Sequence, residues 1–358
     1  MAYTTINDPS AHFQSYDFSK SAGTGSTTFD GNSDLQPDFL WVKSISNNDG
    51  HEVWDSSRGV NSTLFTHATE AQDTSANRIV SFDTDGFTWG NAGNLNAGGT
   101  FVSWAWKANG GTTSSNTDGT ITSTVQANTD AGFSIVTFTG NGSNDATIGH
   151  GLGVTPDMII TKNLADSVSW RVWHKDLTTN YMLFINATNA ETSTTGQGNG
   201  YIKTVGSSTY SVYQGTIDTN GVNGSSDSML AYCFASKQGF SKFGTYTGNN
   251  STDGPFVYTG FKPAFVMIKS KSNSSNWLII DDARDPANDG TPGSTGTSRL
   301  FPNLVNYYDN AESYDLLSNG FKPRSTNALA NTTGVTYVYA AFARNPFVTS
   351  TGVPTTAR

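Results

Sequence analysis

Short apolar runs recur along the chain, and segments rich in Gly, Ser, Thr and Asn separate them. Aromatic and β-branched residues dominate these runs, as in FVSWAW at 101–106 and FVMIK at 265–269. Such residues favour strands, and apolar runs of this length bounded by turn residues are typical of buried strands. The pattern therefore predicts an all-β protein built from many short strands.

The same succession of runs occurs three times along the chain. Each copy opens with a Pro and an apolar run that ends in Lys six residues later: PDFLWVK at 37–43, PDMIITK at 156–162 and PAFVMIK at 263–269. A second run begins eight residues after the Lys, at His51, Trp170 and Trp277. A closing apolar run ends each copy, with Trp106, Phe234 and Phe342 as its last residues. Self-similarity of this kind predicts tandem domains of one lineage.

From the repeats we predict three tandem β-sandwich-like domains, of the jelly-roll or lectin-like kind, over residues 1–108, 132–236 and 237–358, the last with a C-terminal tail. Residues 109–131 are rich in Gly, Ser, Thr and Asn and are predicted to be a linker, with a short edge strand at 120–125. The segment that connects the second and third domains, near residue 236, is much shorter. We therefore expect a semi-independent first domain and a tightly packed second pair.

The repeats also assign roles to residues at the ends of strands. The Lys that ends each opening run is expected at the solvated exit of its strand. An Asn precedes each closing run and predicts a turn there; these residues are Asn96, Asn223 and Asn331. The triplets DGF at 85–87 and NGF at 319–321 are typical of hairpin turns.

Composition removes several functional classes. Of the 358 residues, 14% are charged and 12% are aromatic, which is enough apolar content for a folded core and too little Ala, Leu, Glu and Lys for a helical bundle. The net charge of −9 argues against nucleic-acid binding, because that function needs a basic face. The apolar runs are also too short to span a membrane.

The first residues, MAYTTINDPSAHF, contain neither the basic nor the apolar region of a secretory leader, and Cys233 is the only cysteine. We therefore expect the protein to be made in a reducing cytoplasm. Its stability is expected to come from strand pairing and packing, since no internal disulfide can form.

No motif in the sequence predicts catalysis. The histidines lack zinc-binding spacing, and neither a glycine-rich phosphate loop nor a nucleophile elbow is present. An Asp and an Arg three residues apart occur in two of the copies, as Asp55 with Arg58 and Asp281 with Arg284. We interpret each pair as a local salt bridge at a strand exit, and we expect the protein not to be an enzyme and to carry no cofactor.

The acidic segment that follows Asp281 offers the only metal candidates that we single out. Asp285, Asn288 and Asp289 supply the oxygen ligands that Ca²⁺ prefers. The segment does not match the calcium-loop pattern of an EF-hand, so a local turn is the alternative. No transition-metal site is expected.

Aromatic residues outside the repeated strands are candidates for ligand or interface contacts, since rings on β-loops stack on sugars. The candidates are Trp89, Tyr307 and Tyr308. The alternative for each is a place in a small core or a contact between subunits. The other strand tryptophans are expected in the core: Trp54, Trp104, Trp106, Trp170, Trp173 and Trp277.

Several longer strings resemble a family of uncharacterised virion structural proteins of tailed phages, common among marine phages. The strings are INDPSAHF at 6–13, QPDFLWVK at 36–43, DSSRG at 55–59, FVSWAWK at 101–107, AGFSIVTFTGNG at 131–142, GHGLG at 149–153, AFARNPF at 341–347 and VPTTAR at 353–358. The resemblance implies a virion component, often labelled a tail fibre or tail protein, that is assembled in the cytoplasm of the host bacterium. It implies no catalytic residue.

Together these observations favour a tail-fibre or spike-type adhesin that contacts host surface glycans. The alternative is a head decoration, or cement, protein that stabilises the capsid. A third hypothesis is a polysaccharide-degrading tailspike, for which the carboxylates to test are Asp281, Asp282, Asp285 and Asp289. The expected partners are other virion proteins, host polysaccharide and further copies of the chain, with a homotrimer predicted because fibres commonly have that symmetry; nucleic acid and membrane are not expected.

Overall fold

The protein is described by a computed structural model over residues 4–194, 200–216, 220–284, 299–306 and 314–346. This part of the chain contains twenty-six strands and two short 3₁₀ helices, Pro9–Ala11 and Asn94–Asn96. Within it, no helix has the length and apolar character needed to cross a membrane. The predicted all-β fold is confirmed.

The first unit contains eight strands in two sheets. The strands are β1 (Phe13–Lys20), β2 (Gly25–Thr27), β3 (Phe39–Ser44), β4 (Glu52–Asp55), β5 (Leu64–Phe65), β6 (Ile79–Asp83), β7 (Gly86–Trp89) and β8 (Gly99–Trp106). The large sheet has the order β1-β8-β3-β4-β5, and the small sheet has the order β2-β7-β6. The predicted hairpin at 85–87 joins β6 to β7.

The second unit contains eleven strands. They are β9 (Ser114–Asn116), β10 (Ser123–Asn128), β11 (Phe133–Thr139), β12 (Thr147–Gly149), β13 (Met158–Asn163), β14 (Arg171–His174), β15 (Tyr181–Phe184), β16 (Thr192–Ser193), β17 (Tyr201–Val205), β18 (Thr209–Tyr213) and β19 (Ser228–Phe234). The large sheet has the order β16-β15-β14-β13-β19-β11-β10-β9, and the small sheet has the order β12-β18-β17. The structure corrects the predicted linker at 109–131, because β9 and β10 both lie in it and extend this large sheet.

The third unit contains seven described strands. They are β20 (Ser241–Thr247), β21 (Val257–Tyr258), β22 (Phe261–Ser270), β23 (Leu278–Asp281), β24 (Tyr314–Leu317), β25 (Gly320–Pro323) and β26 (Thr336–Pro346). The large sheet has the order β20-β26-β22-β23, and the small sheet has the order β21-β25-β24.

One strand order therefore underlies all three units. Each large sheet contains a lead-in strand, the closing strand, the Pro-initiated opening strand and the second strand, as in β1-β8-β3-β4, β11-β19-β13-β14 and β20-β26-β22-β23. Each small sheet places the later strand of a hairpin in the middle, as in β2-β7-β6. The exact domain boundaries proposed from the sequence stay predictions.

Both faces of each large sheet are buried, which explains why its strands are almost continuously apolar. In β3, Phe39 and Trp41 belong to a cluster shared by all three units, whereas Leu40 and Val42 belong to a cluster between the two sheets of the first unit. The second unit has its own inter-sheet cluster, which includes Ile159 and Cys233. The first unit is thus not semi-independent as the sequence suggested, since it contributes to the shared core.

Three aromatic rings mark the centre of this shared core. Trp106, Phe234 and Phe342 stand opposite Phe39, Met158 and Phe265, the equivalent residues of the three opening strands. Their ring centroids are 6.3 Å apart for Trp106–Phe234, 5.8 Å for Phe234–Phe342 and 5.4 Å for Trp106–Phe342. Equivalent residues in mutual contact define a pseudo-threefold axis, so a single chain contains three units in a closed circle.

The lysines that end the opening strands are fully buried, which corrects the prediction of a solvated exit. Each donates to a backbone carbonyl of the preceding unit in the circle: Lys162 to Thr69 at 3.0 Å, Lys269 to Thr188 at 3.1 Å and Lys43 to Val305 at 3.5 Å. Burial lowers the pKa of Lys43 to about 7 and that of Lys269 to about 8. The lysines therefore join the units, because carbonyl oxygens in the preceding unit replace the water that an exposed ammonium would bind.

Tryptophans at the start of the second strands form a parallel set of links. Trp170 Nε1 donates to the Phe65 carbonyl at 2.9 Å, and Trp277 Nε1 donates to the Phe184 carbonyl at 2.7 Å. The third equivalent, His51, is buried and accepts from Trp41 Nε1 at 2.9 Å. We call the contacts between units one and two the first junction, those between two and three the second junction, and those between three and one the third junction.

Candidate functional site

A cavity of about 510 Å³ lies at the first junction. Its floor is the axis-facing side of the second unit's large sheet, beyond the edge of the shared core. Its wall is the segment that follows β4 in the first unit. We call this cavity the junction cleft.

The floor of the junction cleft is a row of hydroxyl groups. Thr124 of β10 pairs with Thr137 of β11, and Thr139 of β11 pairs with Ser228 of β19. Because side chains alternate across a sheet, Thr137 and Thr139 lie on one face and the intervening Phe138 is buried on the other. Each hydroxyl both donates and accepts hydrogen bonds, so the floor suits a polyhydroxylated ligand.

The wall is held by Arg58. Its Nε lies 2.5 Å from Asp55 Oδ2, and its Nη1 donates to the Ser62 carbonyl at 3.0 Å and to Gln72 Oε1 at 2.9 Å. Its Nη2 lies 3.3 Å from the hydroxyl of Tyr232 in the second unit. The predicted local salt bridge is therefore present, and it also fixes the position of the wall relative to the floor.

Residues of the segment 109–131, which was predicted to be a linker, also form hydrogen bonds across the first junction. Gln126 Nε2 donates to the hydroxyl oxygens of Ser56 at 3.0 Å and Ser57 at 2.8 Å, and its Oε1 accepts from the backbone N–H of Asn109 at 3.0 Å. Asp38 accepts from the backbone N–H groups of Ala108 and Gly110 at 2.7 and 2.9 Å. The cleft is thus rigid at its base, which is the condition for selective binding.

The other two junctions differ at the same positions. At the third junction the ion pair recurs, with Arg284 Nη2 2.6 Å from Asp281 Oδ2, and Trp104 Nε1 donates to Asp281 at 3.2 Å. At the second junction the place of Asp55 is taken by His174, whose Nε2 lies 3.3 Å from the Tyr339 carbonyl, and the place of Arg58 is taken by Leu177. Among the described residues, neither the first nor the third unit carries strands equivalent to β9 and β10 before its lead-in strand, β1 or β20.

Protonation states at the second junction follow from burial. His174 Nδ1 accepts from the backbone N–H of Asp176 at 3.2 Å, which leaves the proton on Nε2. Burial is the largest influence and lowers the pKa of His174 to about 4. The imidazole is therefore neutral at physiological pH and acts as a fixed hydrogen-bond donor.

The structure corrects the prediction of an exposed role for Trp89. The indole is buried in the first unit, where its ring lies 5.6 Å from that of Phe18 and its Nε1 donates to the Gly23 carbonyl at 3.0 Å. It therefore belongs to the inter-sheet core. Five of the six strand tryptophans expected in the core are buried, and Trp173 is partly exposed.

The remaining candidates fall largely outside the described residues. Tyr307 and Tyr308 lie there, as do the calcium candidates Asp285, Asn288 and Asp289. Within the described ranges, no three His, Cys, Asp or Glu side chains are grouped as metal ligands.

Of the carboxylates named for a tailspike mechanism, only Asp281 and Asp282 lie within the described part of the chain. Asp281 is committed to Arg284 and Trp104. Asp282 accepts from the Ser15 hydroxyl at 3.0 Å, and burial raises its pKa to about 6. Both carboxylates therefore contribute to the third junction.

A known protein family matches almost the whole chain. The model of a family described as a domain of unknown function, DUF7483, matches residues 8–346. The chain belongs to the DUF7483 family. No curated protein and no solved structure matches the chain.

The matched range of this DUF7483 protein includes all three junctions and the junction cleft. Sequence patterns did not lead to the cleft, although one signal was present. Thr alternates with buried residues at Thr122 and Thr124 and again at Thr137 and Thr139. Two adjacent strands with this alternation place a row of hydroxyls on one face of a sheet.

Proposed function

We propose that this DUF7483 protein is a structural component of a tailed-phage virion, of the tail-fibre or spike type, which contacts glycans of the host surface and catalyses no reaction. The resemblance of its sequence strings to phage structural proteins supports the virion assignment. The junction cleft supports the choice of ligand, because its floor offers several hydroxyls and its wall offers an amide and a guanidinium.

Sugar recognition needs donors and acceptors that are held in place before the ligand arrives. The wall meets this condition through the four hydrogen bonds of Arg58, and the floor meets it because it is part of an antiparallel sheet. Host glycans are the ligand class that a phage surface protein meets outside the cell, which connects the cleft to the virion assignment.

A glycan array with the purified full chain tests the proposal, together with adsorption of the protein to host cells. The cleft variant is Thr137→Val with Thr139→Val, which removes two hydroxyls and keeps the shape of the side chains. The matched control is Thr245→Val with Thr247→Val, at the equivalent positions of β20. Each lost hydrogen bond is worth about 1 kcal/mol, so the loss of two should lower the affinity of the cleft variant roughly thirtyfold.

The control should bind as the wild-type protein does. Equal binding by the cleft variant and the wild type would remove the cleft from the proposal. Absence of binding by the wild-type protein, on the array and to host cells, would refute the adhesin function as a whole.

The position of the protein on the virion distinguishes a tail-fibre or spike role from a head-decoration role. We expect an antibody against the protein to label the tail in electron micrographs of intact virions. Label distributed over the head would instead favour the capsid-decoration alternative.

The homotrimer is part of the same proposal. Light scattering coupled to size-exclusion chromatography should give three times the chain mass of 38.1 kDa. A mass of one chain would mean that the internal pseudo-threefold arrangement takes the place of a trimer.

A further inference from the structure

The small sheet of the third unit differs from the small sheets of the other two units on the face that points to solvent. In the first unit, Ser26, Thr88 and Ser81 are neighbours across this face. In the second unit the same register positions hold Thr147, Ser211 and Thr204. Both faces are rows of hydroxyls, as expected for a solvated sheet surface.

The third unit places an aromatic residue and charges at these positions. Asp315 pairs with Lys322, and the register of β21 on β25 puts Phe256 next to Lys322. Tyr258, two residues further along, pairs with Gly320 on the same face. Phe256 and Tyr258 are each 49% exposed, while Val257 between them is buried. We call Phe256, Tyr258 and the adjacent Lys242 the aromatic patch.

The two exposed rings lie on the same side of the strand. Residues two apart in a strand point to the same side and lie roughly 7 Å from each other. Phe256 reaches over Gly320, since a Cβ there would come within 3.0 Å of Phe256 Cε2. The face of a sugar ring, with its axial C–H groups, stacks on such side chains in preference to water.

Lys242 adds a positive charge to the aromatic patch. Its Nζ lies 5.2 Å from the centre of the Tyr258 ring and donates to the Tyr258 carbonyl at 2.7 Å. Among the described residues, no carboxylate lies within salt-bridge distance of Lys242, whereas Lys322 and Arg324 are paired with Asp253 and Asp315. The ammonium group is thus able to bind a carboxylate brought by a ligand.

We propose that the aromatic patch of the third unit binds an acidic polysaccharide, with Phe256 and Tyr258 stacking on successive sugar rings and Lys242 pairing with a sugar carboxylate. The proposal rests on the proposed adhesin function and adds a second site with a different ligand preference from the neutral, hydroxyl-lined cleft. A second copy of the chain fits less well, because a two-fold contact through this patch would bring two Lys242 side chains together. The net charge of −9 repels an anionic polymer elsewhere on the surface, which would restrict it to this patch.

The test uses the purified full chain and three immobilised polysaccharides: polygalacturonate and hyaluronate, which carry carboxylates, and dextran, which is neutral. The main variant is Phe256→Ser with Tyr258→Thr, which restores the residues that the first unit carries at these positions, Ser26 and Thr28. The variant is therefore expected to fold. Val154→Thr, at an exposed apolar residue of the second unit, is the matched control.

We expect the wild type to bind the acidic polysaccharides and the Phe256→Ser/Tyr258→Thr variant to bind them at least tenfold more weakly, since the variant removes both aromatic rings. Lys242→Gln, which introduces the residue of the first unit, Gln14, should retain binding and lose the preference for acidic over neutral chains. The dependence of binding on salt should weaken in the same variant. Val154→Thr should bind as the wild type does.

The outcomes separate this proposal from the proposed function. Adsorption of the wild type to host cells without binding to polygalacturonate or hyaluronate overturns the aromatic patch as an acidic-glycan site and leaves the adhesin standing. Equal binding by the wild type and the Phe256→Ser/Tyr258→Thr variant also overturns it. A change in oligomeric mass in that variant, with polysaccharide binding unchanged, would assign the patch to contacts between copies.

Discussion

The first and second junctions place equivalent strands against each other but use different chemistry at the point of contact. At the first junction Asp55 and Arg58 form a buried ion pair that the Tyr232 hydroxyl joins at 2.8 Å from Asp55. At the second junction His174 meets a backbone carbonyl, and Leu177 replaces the guanidinium. Both junctions keep a buried Lys and a Trp that donate to carbonyls of the preceding unit.

The difference shows which interactions the arrangement of units depends on. The links to backbone carbonyls recur because main-chain atoms are present whatever the sequence. The ion pair is replaceable, since the second junction forms without it. A buried ion pair is nevertheless sensitive to loss of one partner, because the other charge is then left without compensation.

The largest effect is expected from Asp55→Asn, which keeps the side-chain volume and leaves Arg58 buried without its counterion. We expect the free energy of unfolding to fall by about 3–5 kcal/mol, measured by chemical denaturation. The matched substitution at the second junction, His174→Gln, removes a neutral hydrogen bond and should cost about 1 kcal/mol at pH 7. Equal losses in the two variants would contradict the assigned difference between the junctions.

Acid should weaken the second junction through His174. The folded-state pKa of His174 is about 4, below the ordinary value of 6.5, so the unfolded chain takes up a proton at His174 before the folded chain does. Stability should therefore fall as the pH drops from 6.5 towards 4, by up to about 3 kcal/mol from this residue. In His174→Gln this part of the pH dependence should disappear; a pH profile unchanged from the wild type would assign the acid sensitivity to other groups.

A smaller effect is expected from Tyr232→Phe. Its hydroxyl contacts both members of the ion pair, so its loss should cost about 1–2 kcal/mol of unfolding free energy. Tyr339→Phe is the control, since the second junction uses the backbone carbonyl of Tyr339 and not its hydroxyl. If Tyr339→Phe lowered the unfolding free energy as much as Tyr232→Phe does, the effect of the Tyr232 hydroxyl would come from packing and not from its contacts with the ion pair.

Much of the fold could be predicted because local rules and tertiary structure agree. Short runs of aromatic and β-branched residues did form strands, and the Asp–Arg spacing did give ion pairs at Asp55 and Asp281. Asn223 and Asn331 make matching sets of hydrogen bonds to Asn141 and Asn249, which supports the assignment of both as turn residues.

What could not be predicted depends on contacts between units. A Lys at the end of a strand is usually solvated, and nothing near Lys162 in the sequence indicates that the Thr69 carbonyl will cover it. The junction cleft joins residues more than sixty positions apart, such as Arg58 and Thr137. The nearly continuous apolar character of β3 was the available clue, because a strand without polar alternation needs cover on both faces.

The circular order of the buried lysines has a consequence for the origin of the chain. Lys162 reaches the first unit, Lys269 the second and Lys43 the third, so every unit has one donating side and one accepting side. A single ancestral unit with these two sides would assemble head to tail and close after three copies, as a homotrimer. Gene triplication then turns three identical subunits into one polypeptide, and each junction becomes free to diverge by itself. Deleting one unit would leave a donating and an accepting side unmatched, and the shortened chains would join one another end to end.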